Sequence, residues 1–385
     1  MGKSTSYAGL KVRAVALSGF VLGICLLMLQ PRAQAHHPVQ AKFNESRPVI
    51  LSGRVTEIDW ANPHVHIFIN VGGSDGRPVN WAVEIESPIE LERSGWTAES
   101  VAIGDIITVQ GPAAINGSDQ VWGRVIRNTA GEAVYAVDPN ALQARLQERP
   151  DGQTPRWPDG QPRLGPPPGQ TGYWTSPGLN SLVEDGAQVQ MDAHGLLDNI
   201  DDASRVAPFQ AWARDLYVLR QSNYLKDDPM FLYCIPPGGP RQLQVPFGVQ
   251  FVEQRDRERI FVLMGAGNSN WRLIYTDGRA PQGQVSGDDE NPLFYGRSVA
   301  QWEGDTLVIN STGFNEGFWF SNGGLPHTGL LQMEERISRP DLNTLNYEVT
   351  VDDPGAYTRP WTSSWTLQWL PGEELPEYYC QDNRP

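Results

Sequence analysis

Residues 298–353 read SVAQWEGDTLVINSTGFNEGFWFSNGGLPHTGLLQMEERISRPDLNTLNYEVTVDD, and the reading of that stretch decides the fold. Four strands are expected in it. Ser298–Trp302 and Thr306–Thr312 flank the turn residues Glu303-Gly304-Asp305. Leu330–Ser338 and Leu345–Asp353 flank Arg339-Pro340-Asp341-Leu342-Asn343. Each run is rich in Val, Ile, Thr, Tyr or Trp and is bounded by Gly, Pro, Asn or Asp, the pattern of a β-meander. Further strands are expected on both sides. Phe247–Glu253, Arg259–Met264 and Trp271–Thr276 precede the meander, and Ser363–Leu370 follows it. Eight antiparallel strands are enough to close a barrel around one small ligand, and two packed sheets are the competing arrangement. The long polar loop Asp277–Arg297 interrupts the series.

Upstream of these strands one helix is expected over Ala207–Lys226. Phe209, Trp212, Leu216 and Leu219 follow the spacing of a single apolar stripe, and Pro208 is well placed near the first turn. The prolines Pro229, Pro236, Pro237 and Pro240 keep it from continuing.

The first part of the chain has a different pattern. Val49–Asp59, Val65–Val71, Val79–Glu86, Ile106–Gln110, Val121–Arg127 and Ala133–Val137 read as short strands, with a helical turn near Glu90–Ser94. Val65, Ile67, Ile69 and Val71 alternate with His64, His66 and Phe68, which assigns the two sets to opposite faces. Five or six short strands and one helical insert suit a small closed barrel of OB type. Between the two parts, residues 139–180 are dense in Pro and Gly and read as a semi-extended linker. Trp157, Tyr173 and Trp174 indicate that it packs against something. The expected fold is therefore mainly β: a small OB-like barrel over 36–138, the linker 139–180, and a helix followed by a larger antiparallel barrel or sandwich over 181–385.

The chain opens with the features of a secretory signal. Lys3, Lys11 and Arg13 precede the apolar run Val15–Leu29, and Ala33-Gln34-Ala35 is a small-x-small cleavage pattern. Cys25 follows Ile24, which argues against a lipoprotein. Cleavage after Ala35 would leave His36 at the amino terminus of a periplasmic or secreted protein, with no lasting membrane span. The formal net charge of −15 then becomes about −19, because the signal holds four basic residues and no acid. Lys42 and Lys226 are the only lysines left, and an acidic protein of this kind is a poor candidate for binding nucleic acid or anionic lipid. Cys234 and Cys380 survive cleavage, and in an oxidising compartment two thiols usually pair. Such a bridge closes a loop of about 146 residues, worth roughly 4–5 kcal/mol in the loop-entropy model.

Ala35-His36-His37-Pro38, Gly53-Arg54-Val55, Asn62-Pro63-His64-Val65 and Val79-Asn80-Trp81-Ala82-Val83-Glu84 together resemble a family of exported bacterial proteins of unknown function. The second half carries further marks of such proteins: Cys234-Ile-Pro-Pro-Gly-Gly-Pro-Arg241, Trp302-Glu-Gly-Asp-Thr-Leu-Val308, Glu334-Glu-Arg336 and Val351-Asp-Asp-Pro354. Pro326-His327 is followed by Thr where the pattern would have Ser. The resemblance implies export and implies no chemistry.

Two groups of residues are candidates for chemistry. His36, His37, His64 and His66 make the first, a set suited to copper or zinc. A terminal His offers its α-amine and ring to one metal, and an H-x-H pair on a strand places two imidazoles together. The bland alternative is a frayed terminus plus two polar-face histidines. Glu335 leads the second group. Alternation in Leu331–Ile337 puts it with Leu331, Met333 and Ile337 on the apolar face, where a carboxylate is expensive unless paired or protonated. With His327, Asp352 and Tyr357 nearby, it could serve as a catalytic acid or base in a hydrolase, isomerase or lyase. The alternative is a structural pair with Arg297, Arg336 or Arg359. Ser298, Ser311 and Ser338 sit in no Gly-x-Ser-x-Gly context. Trp271, Trp302, Trp319, Trp361, Trp365 and Trp369 either line a pocket for a sugar or apolar ligand or form core. The functional expectation is an exported binding protein for a small ligand and a metal, with an enzyme and an envelope interaction module as alternatives.

Overall fold

The computed structural model describes residues 42–61, 64–73, 76–136, 146–175, 182–191, 195–222, 227–244, 248–265, 270–280, 291–319 and 321–375. The expected signal segment, His36, His37 and Cys380 lie outside these residues. No helix among the described residues is long and apolar enough to cross a membrane.

The first barrel is built on β1 (Phe43–Asp59), a 17-residue strand that pairs with two neighbours. These are β2 (His66–Gly72) and β4 (Ile106–Ala114), both antiparallel to it. Register shifts between Val55 and Glu57 and between Asn44 and Pro48 let the strand bend around both partners. β3 (Pro78–Glu84) pairs with β2, and β5 (Gln120–Trp122) joins β3 in parallel and touches β4. The ring β1-β2-β3-β5-β4-β1 is thus closed, with the helix α1 (Pro88–Arg93) between β3 and β4. This is the OB arrangement that the strand spacing implied.

The run Val121–Arg127, expected as one strand, is broken. Gly123 and Arg124 separate β5 from β6 (Val125–Arg127), which pairs with the other half of β4 and with β7 (Ala133–Ala136). Gly111 explains the break. A Cβ there would lie 1.7 Å from the Trp122 carbonyl oxygen, so β4 and β5 cross too closely to run on as a regular pair. Val65, Ile67 and Ile69 are buried in the core of this barrel with Val83, Val109 and Val121, as their alternation required.

The second barrel has nine strands. All eight expected segments are strands: β9 (Val249–Gln254), β10 (Arg259–Met264), β11 (Trp271–Tyr275), β12 (Arg297–Glu303), β13 (Thr306–Thr312), β14 (Gln332–Ser338), β15 (Thr344–Asp352) and β16 (Trp361–Pro371). The ninth is β8 (Gly172–Thr175), drawn from the Pro/Gly-rich stretch, and it closes the ring between β16 and β9. Trp174 drives that insertion. It is fully buried, its ring meets Trp369 edge-on at 5.0 Å, and its indole N–H donates to the Leu164 carbonyl at 2.7 Å. Arg339 is buried over both indoles and donates to the carbonyls of Arg163 and Gly165, each at 2.8 Å. Burial pulls its pKa down to about 10, so the guanidinium stays charged at neutral pH. Residues 149–175 are thereby strapped along the barrel.

One pairing departs from the expected antiparallel pattern. β11 and β12 are parallel and meet at just two positions, Ile274 opposite Ser298 and Tyr275 opposite Val299. The 21 residues between them permit what a hairpin could not, since parallel neighbours need a long crossover.

The expected helix is shorter than its pattern and turned on its axis. α2 spans Ala211–Ser222 and buries Ala213, Tyr217 and Gln221. Trp212 and Leu219, assigned to the apolar stripe, are exposed. The Trp212 N–H donates to the Gly355 carbonyl at 2.9 Å, and Phe209, ahead of the helix, stacks on Tyr217 and meets Tyr357 at a tilt. A second, five-residue helix, α3 (Pro229–Tyr233), follows, capped by the Asp228 side chain.

Candidate functional site

In the first barrel, Glu84 at the end of β3 gathers the two described histidines. Its carboxylate is buried, accepts from Lys42 Nζ at 2.6 Å, bonds to His64 Nδ1, and stands 3.4 Å from His66 Nε2. His64 is buried against the edge of Trp122, with ring centroids 5.1 Å apart, although alternation assigns it to the polar face. Glu84 is the reason. It stands opposite His66 in the β2–β3 register and supplies the charge that lets a polar ring sit inside. The pair is therefore brought together on one carboxylate that an ammonium group already holds. Among the described residues, no group of three or more His, Cys, Asp or Glu is arranged to hold a metal.

In the second barrel, Glu335 points inward and is fully buried. It stands opposite Ile309 and Val349 on the neighbouring strands, so the phase of β14 is as the alternation assigned it. Its partner is Arg272 of β11, not Arg297, Arg336 or Arg359. Arg336 faces out to Glu303 at 2.8 Å, and Arg359 holds Glu184 at 2.6 Å. Arg272 grips Glu335 with both ends of its fork, Nη1 to Oε1 at 2.9 Å and Nη2 to Oε2. Arg272 Nε donates to Ser298 Oγ at 3.0 Å and Nη2 to Ser311 Oγ at 2.7 Å, while the two serine hydroxyls are 3.0 Å apart. The Tyr347 hydroxyl donates to Glu335 Oε1 at 2.7 Å. The result is a polar belt inside the barrel, one side chain from each of the five successive strands β11 to β15. Burial pulls the Arg272 pKa down, but Glu335 beside it more than offsets this and holds the guanidinium charged. Burial first, and then the Glu335 charge, push the Tyr347 hydroxyl well up, so it stays a donor.

The four residues assigned to catalysis are not brought together. All of Glu335's hydrogen bonds go to the belt. His327 is buried against Phe318, ring centroids 4.2 Å apart, with Nε2 on the Phe318 carbonyl at 3.2 Å. Burial lowers its pKa to about 4, so it is neutral at physiological pH. Tyr357 is buried and donates to the Pro326 carbonyl at 2.8 Å. Asp352 faces out of the sheet opposite Gln332, while its neighbour Asp353 turns in and accepts from the backbone and hydroxyl of Thr328, both at 2.6 Å. These groups hold the loops at the barrel's end; a carboxylate bound to arginine and an imidazole bound to a carbonyl are not a proton-transfer pair.

The feature that alternation could not reveal lies at the parallel seam. Beyond the two paired positions β11 and β12 are unpaired with each other, and a cleft of about 560 Å³ opens in the barrel wall. Trp271, Tyr275 and Phe294 supply aromatic faces, and Arg272, Ser298 and Tyr295 line its polar part. Trp271 is 56 % exposed, while Trp319, Trp361 and Trp369 are core. Of the tryptophans considered for a pocket, Trp271 is the one at this cleft. Arg279 lies over the Tyr275 ring at 3.7 Å and is neutralised by Asp277. Hence the polar belt and the cleft meet at Arg272 and Ser298.

No curated protein matches the chain. Residues 25–122, a span that ends at Trp122 of β5, match the model of a family of unknown function, DUF6152, in keeping with the uncharacterised exported family that the first-half motifs resemble.

Proposed function

We propose that this is an exported binding protein that holds one small, ring-bearing molecule in the seam cleft. The observation that carries the reading is the opening itself. At the parallel pairing of the nine-stranded barrel a cavity opens, lined by aromatic residues and reaching the polar belt at Arg272 and Ser298. Small-molecule sites have that character: concave, mostly apolar, with a few fixed polar groups. An exposed tryptophan at the mouth is what a stacking ligand would cover. The wild-type protein should bind naphthalene, read by quenching of tryptophan fluorescence or by calorimetry. Trp271→Ala should weaken that binding about tenfold or more. Equal affinity in the two proteins, or no binding to wild type, would overturn the reading.

Export is supported by the basic, apolar and small-x-small segments that end at Ala35. We propose with it that Cys234 pairs with Cys380. Cys234 is disulfide-bonded, which supports the pairing, and Cys25 falls in the segment that cleavage would remove. Non-reducing peptide mapping of exported protein should give an amino terminus at His36 and one peptide containing both cysteines. Two alkylatable thiols in the native protein would exclude the bridge.

A further inference from the structure

We propose that the open edge of β11 recognises the ligand of this cleft, and that the ligand's ring carries an N–H and a C=O side by side, as a lactam or a pyridone does. The inference rests on the seam cleft being the binding site and adds the chemical class of its occupant. On the β10 side, the Met264 N–H donates to the Asn270 carbonyl at 2.9 Å and the Thr276 N–H to the Glu258 carbonyl at 2.8 Å. By the alternation of an antiparallel ladder, the backbone groups of Arg272 and Ile274 also address β10. Those of Trp271, Leu273 and Tyr275 point the other way, toward β12. Ser298, opposite Ile274, occupies the Leu273 carbonyl and the Tyr275 N–H, the groups that flank a parallel-paired residue. In that register Gly296 would come next, opposite Arg272, to serve the Trp271 carbonyl and the Leu273 N–H. Gly296 turns away instead. Its φ of 62° is left-handed, and a Cβ there would meet the Thr312 carbonyl oxygen at 2.7 Å. Among the described residues, no strand stands opposite the Trp271 carbonyl and the Leu273 N–H.

The cleft runs along this edge. Its lining takes Trp271 and Leu273 from the outer face of β11, Arg272 from the inner face, and Gly296 and Ser298 from the far side. A cavity that touches both faces of a strand lies beside its edge, where the backbone groups point. The polar side chains there are committed: Arg272 to Glu335, and Ser298 to Arg272 and Ser311. The backbone therefore sets the chemistry. One acceptor and one donor from alternate residues call for a donor beside an acceptor, which is what the missing residue of a parallel strand would present. A ring lactam holds its N–H and C=O on one edge. An open-chain secondary amide is trans, so its two groups point in opposite directions and it can meet only one of the pair. Trp271, Tyr275 and Phe294 supply aromatic surface for the rest of the ring system.

Three probes of similar size test this: naphthalene, the bicyclic lactam 2-quinolone, and 1-methyl-2-quinolone, in which a methyl group replaces the N–H. The protein should bind 2-quinolone tighter than naphthalene and about tenfold tighter than the N-methyl derivative. Hydrogen exchange followed residue by residue should show the Leu273 amide protected about tenfold more by saturating 2-quinolone than by saturating naphthalene. The Tyr275 amide, already held in the ladder, should be protected equally by both. Naphthalene that binds as tightly as the lactam, N-methylation without effect, or a Leu273 amide no better protected by the lactam would each overturn the edge as the recognition element while leaving the cleft as a site. Binding of none of the three would overturn both.

Discussion

Glu335→Gln is expected to lower the stability of the protein by about 3–5 kcal/mol, although the two side chains have nearly the same shape. The amide cannot balance Arg272, which is 3 % exposed and held in place by Ser298 and Ser311. An uncompensated buried guanidinium remains, and that is the expensive outcome. The double variant Arg272→Met with Glu335→Leu should recover most of the loss, since replacing a whole buried ion pair with apolar groups of similar volume is often neutral. Urea unfolding of the three proteins measures both numbers. A Gln variant as stable as wild type would mean that the belt is not a structural ion pair, and would return Glu335 to the list of functional acids.

Acid should unsettle the protein through His327 before most carboxylates are protonated. Burial is the largest influence on this imidazole, and the Arg220 charge acts in the same direction; the two neighbouring carbonyls and Glu316 oppose them without prevailing. Its pKa in the fold is about 4, against 6.5 when unfolded. Above pH 7 both states are neutral there and nothing is lost. As pH falls from about 6.5 to 4 the unfolded chain takes up a proton that the folded one refuses. Stability therefore drops by about 1.4 kcal/mol per pH unit, reaching about 3 kcal/mol near pH 4. His327→Gln keeps a donor for the Phe318 carbonyl and cannot titrate. The gap between wild type and variant, followed by denaturant midpoint from pH 7 to pH 4, should narrow by that amount or cross over. A gap that does not change with pH would place the acid sensitivity elsewhere.

The strands of both barrels were legible because period-two patterning between turn residues is a local signal, and each run from Val249 to Leu370 carries it. So was the inward aim of Glu335. Arg272 carries an equally local signal: it shares a face with Ile274 in Trp271–Thr276, the same anomaly of a charge in an apolar row. Two such anomalies in one barrel, of opposite charge, are each other's natural partner. The phase of α2 is not legible from Phe209, Trp212, Leu216 and Leu219, because Trp212 and Leu219 stay exposed while Ala213 and Tyr217 do the packing. The cleft could not be read at all. It follows from which strands become neighbours across a 21-residue connection, and local pattern carries no record of that. β8 is illegible for a similar reason: four residues among prolines become a strand because Trp174 finds Trp369, a partner almost two hundred residues away.

That last pairing sets an order of events. β8 is among the first segments of its barrel to leave the ribosome, and β16, the strand it needs on one side, is the last. Until β16 arrives, the growing sheet is an open ribbon with unpaired edges at β8 and at whichever strand was made most recently, and open edges recruit other chains. Closing the ring then brings together ends separated by nearly the whole length of the domain, the kind of distant contact that slows folding. The ring therefore cannot close before β16 is present, and a chain that stops short of residue 361 lacks the strand that joins β15 to β8.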